Sequence, residues 1–169
     1  AANHAMEASL DSTGVGNIVI TGTAGSGDRT ISSAETVSGF INLSSVDGDL
    51  LVKNIFSDTG VIGTQNITIQ ASGSSTGDLY IGYLQSDNNI TLTTLNGSIL
   101  DIDNDIQNLS AGGAVTLNIT GGTAGLATNP IERYSTVVPT VNGATGSFFV
   151  VCDKFFCGSL PEDPFQSAV

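Results

Sequence analysis

Between Gln65 and Thr120 one pattern of apolar and polar positions is written three times: Gln65-Asn-Ile-Thr-Ile69, Asn88-Asn-Ile-Thr-Leu92 and Gly113-Ala-Val-Thr-Leu117. Two earlier copies, Gly16-Asn-Ile-Val-Ile20 and Gly39-Phe-Ile-Asn-Leu43, extend the series, with starts 23, 26, 23 and 25 residues apart. Each copy alternates as a strand with one buried face does. A period of this length, carried by short strands with Gly and Asn between them, predicts a β-solenoid. In register, one inward ladder is Ile18, Ile41, Ile67, Ile90 and Val115, and a second beside it is Ile20, Leu43, Ile69, Leu92 and Leu117.

A second strand per repeat is expected at Ile31, Leu50 with Val52, Leu79 with Ile81, Ile99 and Leu126, and a third, shorter one near Val37, Val61, Leu84, Leu109 and Val137. Three short strands and three turns make one coil of a parallel β-helix, which climbs about 4.8 Å per coil, so that five coils would stand about 24 Å tall. The fold class is therefore all-β, a right-handed parallel β-helix of about five to six coils. Residues 1–13 are an unpatterned N-terminal segment, 14–151 the β-helix, and 152–169 a disulfide loop and C-terminal tail.

Composition agrees with one secreted β domain: 169 residues, 40% hydrophobic and 12% charged, with 21 Gly and no Trp. The net charge of −12 sets 16 acids against the bases Arg29, Lys53, Arg133 and Lys154. No basic stripe exists for phosphates, which disfavours nucleic acid and anionic lipid as partners and leaves divalent or other cationic ones. No run of 18 apolar residues occurs, so no membrane-spanning helix is expected. Residues 1–12 are read either as a mature start after signal-peptide cleavage or as residues left in front of a fragment. His4, the only histidine, is read as an unstructured terminal residue.

The candidate chemistry is sparse. Asp101, Asp103 and Asp105 form the one acidic cluster, and strand alternation continued from Ile99 would put them on one face, where calcium suits such oxygens. The run fails as an EF-hand loop because Ile106 stands where Gly is required and Gly112 where the bidentate Glu belongs. A solvated turn is the favoured reading, so no cofactor is assigned and calcium is kept as the alternative. Asp47-Gly48-Asp49 is read as a tight turn in preference to a metal-binding pair. Tyr80 and Tyr83 bracket Ile81, and one of them should project outward. Asn42, Asn66, Asn89, Asn96, Asn108 and Asn118 stand in Asn-x-Ser/Thr sequons.

Cys152 and Cys157 have no His or further Cys nearby, so a disulfide is preferred to a zinc site, which points outside the cytoplasm. Five of the seven phenylalanines lie in the last 22 residues, as a cap or an end-to-end joint would need. No enzyme is expected: the bases are scattered, no Asp-Asp pair exists, and a serine nucleophile would have no internal histidine to activate it.

From Gly112 onward the run through Gly125-Leu-Ala-Thr-Asn-Pro-Ile131, and the Gly146-Ser-Phe-Phe-Val150 strand after it, resemble the coils of filamentous haemagglutinin-like large bacterial surface adhesins. The resemblance covers roughly residues 14–151 and implies a right-handed β-helix used as a surface fibre or adhesive stalk. The expected function is thus a structural subunit or segment of an extracellular or cell-surface fibre, a head-to-tail homopolymer assembled by β-helix stacking. An adhesin module binding a glycan or host surface through its outer face is the alternative. Ice or mineral binding would need a flat, regular Thr array, of which Thr68, Thr91 and Thr116 supply one imperfect column.

Overall fold

The alternating segments all become strands that pair in parallel. The computed structural model describes residues 7–22, 27–57, 65–71, 77–103, 107–134, 137–143 and 145–152, with residues 7–15 as backbone alone. In chain order the strands are β1 (Glu7–Val15), β2 (Ile18–Thr21), β3 (Arg29–Ser38), β4 (Ile41–Ser45), β5 (Leu50–Ser57), β6 (Ile67–Ala71), β7 (Leu79–Ser86), β8 (Ile90–Thr94), β9 (Ile99–Asp101), β10 (Leu109–Ala111), β11 (Val115–Ile119), β12 (Ile131–Arg133), β13 (Thr140–Asn142) and β14 (Val150–Cys152). A six-stranded sheet runs β2-β4-β6-β8-β11-β13, and an eight-stranded sheet runs β1-β3-β5-β7-β10-β12-β14 with β9 also paired to β7. The chain alternates between the two sheets as it climbs, which is a parallel β-solenoid. No helix occurs among the described residues.

The six-stranded sheet carries the predicted ladders in the predicted register. Ile18, Ile41, Ile67, Ile90 and Val115 are successive partners, as are Ile20, Leu43, Ile69, Leu92 and Leu117. Ile41, Ile67 and Ile90 are fully buried, and Ile20, in the outermost described strand of this sheet, is half-buried. Stacked aliphatics of one size fix the register, since a slip by one residue would turn every one of them to solvent.

The eight-stranded sheet differs from the expected pair of short strands. In β3, β5 and β7 the second and third strands of a coil run together, and the chain turns a corner inside them. The inward positions are Leu50 and Val52, then Ile55 and Ser57, so their spacing of two is broken once by a spacing of three. Leu79 and Ile81 followed by Leu84 and Ser86 repeat this. At that corner in β7, a Cβ on Gly82 would lie 2.5 Å from the Lys53 carbonyl oxygen, so the position is held by glycine. Only in the next coil do the two strands separate, as β9 and β10, with residues 102–108 between them.

Two expected inward positions are corrected by this geometry. Val37 is 46% exposed, and Ala34, paired with Ile55, is the buried residue. Leu126 is also 46% exposed, because Ala124 continues the column above Ile99 while Leu126 opens a tight turn closed by mutual backbone hydrogen bonds with Asn129. Val61 lies outside the described residues. Leu84 and Leu109 are buried partners, as expected. The solenoid also begins earlier than residue 14: β1 pairs in parallel with β3 through two register shifts, on a segment whose sequence shows no alternation.

Side chains join successive coils at the turns. Asp28 Oδ1 accepts from the Asp49 backbone N–H, Asp49 Oδ1 from that of Asp78, and Asp78 Oδ1 from that of Ser98, at 3.0, 3.0 and 2.7 Å. Ser98 Oγ continues the series by accepting from Thr123 N–H. Each of these residues follows a glycine, and the glycines stack closely: a Cβ on Gly97 would lie 2.3 Å from Gly77 O, and one on Gly122 2.2 Å from Gly97 O. A second series uses Asn66 and Asn89, whose Oδ1 atoms accept from Asn89 and Ala114 N–H. Asp47-Gly48-Asp49 is thus a turn in which Gly48 takes φ 75° and Asp49 serves the ladder.

Candidate functional site

The acidic cluster does not stand on one strand face. Asp101 is the last residue of β9, paired with Ile81, and occupies the inward column that Ile31, Val52 and Ile81 fill below it. It is only 6% exposed. The chain leaves the sheet after it, so Asp103 is exposed, and Asp105 lies outside the described residues. The favoured reading of a solvated turn is therefore corrected at Asp101, whose carboxylate sits in the core.

Neighbouring elements hold it there. Asn108, fully buried ahead of β10, donates from Nδ2 to Asp101 Oδ1 at 2.6 Å and to the carbonyls of Ile81 and Gly82 at 3.3 Å. Asn108 Oδ1 in turn accepts from Glu132 N–H at 2.8 Å. The Asp103 backbone N–H also donates to Asp101 Oδ1. Above, in the Leu126–Asn129 turn, Asn129 Nδ2 donates to the Asp101 carbonyl at 3.2 Å. Asp101 Oδ2 and Asn129 Oδ1 are buried with no hydrogen-bond partner among the described residues. Burial, opposed by the Asn108 hydrogen bond and reinforced by the charge of Asp103, raises the Asp101 pKa above the ordinary 3.8. No three His, Cys, Asp or Glu side chains converge among the described residues.

The aspartate ladder forms a second acidic feature. Asp49, in the middle of the stack, has its pKa raised by burial and by the charges of Asp28 and Asp78, against the lowering effect of the Asp78 backbone N–H. Tyr80 lies beside the stack, and burial together with Asp78, Asp49 and Asp28 raises its phenol. Both Tyr80 and Tyr83 are half-buried, flanking the corner at Gly82. Tyr83 packs edge-on against Phe56 at 5.4 Å between ring centroids and hydrogen-bonds Gln85 Oε1.

Apart from Val19, the outer face of the six-stranded sheet is polar and uncharged. One column runs Val19, Asn42, Thr68, Thr91, Thr116 and Thr140, and its neighbour runs Thr21, Ser44, Gln70, Thr93, Asn118 and Asn142. Asn142 Nδ2 donates to Asn118 Oδ1, and Asn118 Nδ2 to Thr93 Oγ1, so the second column is cross-linked from Thr93 to Asn142. Of the sequons, Asn108 is buried and fully engaged, so its amide is closed to a glycan.

Among the described residues, strand edges stand at both ends of the solenoid. Among the described residues nothing lies beyond β1 and β2 at one end, or beyond β13 and β14 at the other. Two buried arginines close parts of the core. Arg29 stands below Leu50 in its column and donates to Ser45 Oγ and the Asp47 carbonyl, and Arg133 stands above Leu109 and donates to the Val137 carbonyl. Cys152 ends β14 and is not a free cysteine, whereas Cys157, its expected partner, lies outside the described residues.

No family model, curated protein or solved structure matches the chain.

Proposed function

We propose that the chain is a structural segment of an extracellular or cell-surface fibre, whose β-helix coils stack end to end into a head-to-tail homopolymer. The observation that carries this reading is the run of parallel ladders, unbroken by any described element, out to β1 and β2 at one end and β13 and β14 at the other. Parallel edges with unpaired N–H and C=O groups recruit further strands, and because the two ends differ, the contact is heterologous and grows without closing. The resemblance to filamentous haemagglutinin-like adhesins points the same way. A Cys152–Cys157 disulfide beside the last strand would suit secretion into an oxidising compartment. Sedimentation velocity across a concentration series, with electron microscopy of the same samples, tests it. Concentration-dependent growth into filaments that weakens on reduction is expected. A monomer at the highest concentration, without filaments, would overturn the proposal.

The uncharged outer face of the six-stranded sheet favours one further reading, an adhesin module for a neutral glycan, because a protein of net charge −12 keeps its acids off that face. Glycan-array binding lost on Thr91→Lys and Thr116→Lys would support it, and an array without hits would remove it.

A further inference from the structure

The buried corner between β9 and the Leu126–Asn129 turn has negative charge and acceptor oxygens without enough donors among the described residues. Asp101 Oδ1 is well supplied, by Asn108 Nδ2 and the Asp103 N–H. Its second oxygen and Asn129 Oδ1 are both buried and have no donor among the described residues. The two groups belong to one corner, since Asn129 Nδ2 is bonded to the carbonyl of Asp101 itself. A carboxylate enclosed in this way is destabilising unless something neutralises it. Among the described residues the charged side chain acting on it is Asp103, of the same sign. Arg29 and Arg133, the buried bases, are engaged by Ser45, Asp47 and Val137.

The geometry points to a cation site in this corner, in which Asp101 Oδ2 and Asn129 Oδ1 bind a calcium-type hard divalent ion. All-oxygen ligands drawn from a carboxylate, an amide and water are the set such an ion takes, and the exposed Asp103 adds negative charge at the mouth. The ion would replace the missing donors and pin the turn of one coil to the strand of the coil below. The site is independent of how the solenoid ends assemble. The competing occupant is a proton, which would leave Asp101 neutral and donating.

The test is thermal unfolding of the whole chain, stripped with EDTA and titrated with calcium chloride at constant ionic strength. A saturable rise is expected, half-complete at about 10⁻⁴–10⁻³ M, the range of extracellular calcium modules, and reaching roughly 5–10 °C near a hundredfold excess over the dissociation constant. Asp101→Asn keeps an acceptor for Asn108 and should weaken the half-saturation at least tenfold. Asn129→Ala, measured in case Asp101→Asn does not fold, should do the same. A carboxyl ¹³C NMR signal of Asp101 that moves with calcium at neutral pH would place the ion. The proposal is overturned by no saturable rise, by an equal rise in the two variants, or by an Asp101 carboxyl already protonated at neutral pH and unmoved by calcium.

Discussion

Shortening Ile90 probes the ladder where it is most enclosed. Ile90 is fully buried and has Ile67 as its partner on one side and Val115 on the other. Ile90→Ala removes three carbons, about 2.4 kcal/mol of transfer free energy at ~0.8 kcal/mol each. The rungs above and below are pinned by their own hydrogen bonds, so the space cannot collapse freely. A cavity term then brings the expected loss to about 3–4 kcal/mol. Thr91→Ala, one residue along and facing outward, should change stability by no more than about 0.5 kcal/mol. Ile90→Asp should fail to fold, since a lone carboxylate would be buried between two aliphatic rungs. Equilibrium unfolding in urea, followed by far-ultraviolet circular dichroism, reads all three. The reasoning is refuted if Ile90→Ala costs under about 1 kcal/mol while Thr91→Ala costs more, because that inversion is what a register slipped by one residue produces.

Asp78 sits in the ladder with Ser98 N–H on its Oδ1. Its replacement by Ala should cost about 1.5–3 kcal/mol for a charge-assisted hydrogen bond, less the relief of repulsion with Asp49, whereas Asp78→Asn keeps the acceptor and should be at least as stable as the native chain. Equal losses in the two variants, measured by urea unfolding, would contradict the ladder. Asp49 and Asp101 both have folded pKa values raised above 3.8, so the folded state takes up their protons at a higher pH than the unfolded state does. Their contribution to stability is present below 3.8 and is lost as pH rises through the folded values. In EDTA the melting temperature should therefore rise as pH is lowered from 7 toward about 4, and a steady fall over that range would contradict the assignment.

The two ladders of the six-stranded sheet were legible because each copy has a full strand of alternation between recognisable turns, and the spacing from copy to copy fixes the register. The eight-stranded sheet was less legible because its corner needs no turn residues. The phase slips between Val52 and Ile55 with only Lys53 and Asn54 between them, and Ala34 is too small to mark its place as Ile55 does. β1 carries no periodic signal and is held by pairing with β3. The turn ladder did leave a trace, a glycine followed by a short polar residue at Gly27-Asp28, Gly48-Asp49, Gly77-Asp78, Gly97-Ser98 and Gly122-Thr123. At the acidic corner, alternation from the inward Ile99 already places Asp101 inward. That its neighbours would be Asn108 and Asn129 depends on the loop and turn geometry of two coils, which no local pattern encodes.

The fold, the corner at Asp101 and the proposed stacking all rest on one continuous parallel ladder. Spin labels at Val19 and Thr140, after Val19→Cys and Thr140→Cys in the oxidised chain, measure it directly. These positions lie in one outward column, with Asn42, Thr68, Thr91 and Thr116 as the rungs between them. Five rung steps of about 4.8 Å predict a backbone separation near 24 Å, broadened by the label arms. A single distribution centred at about that distance supports the ladder. A distribution centred beyond about 35 Å, or several populations of comparable weight, would mean that the coils do not stack in this register.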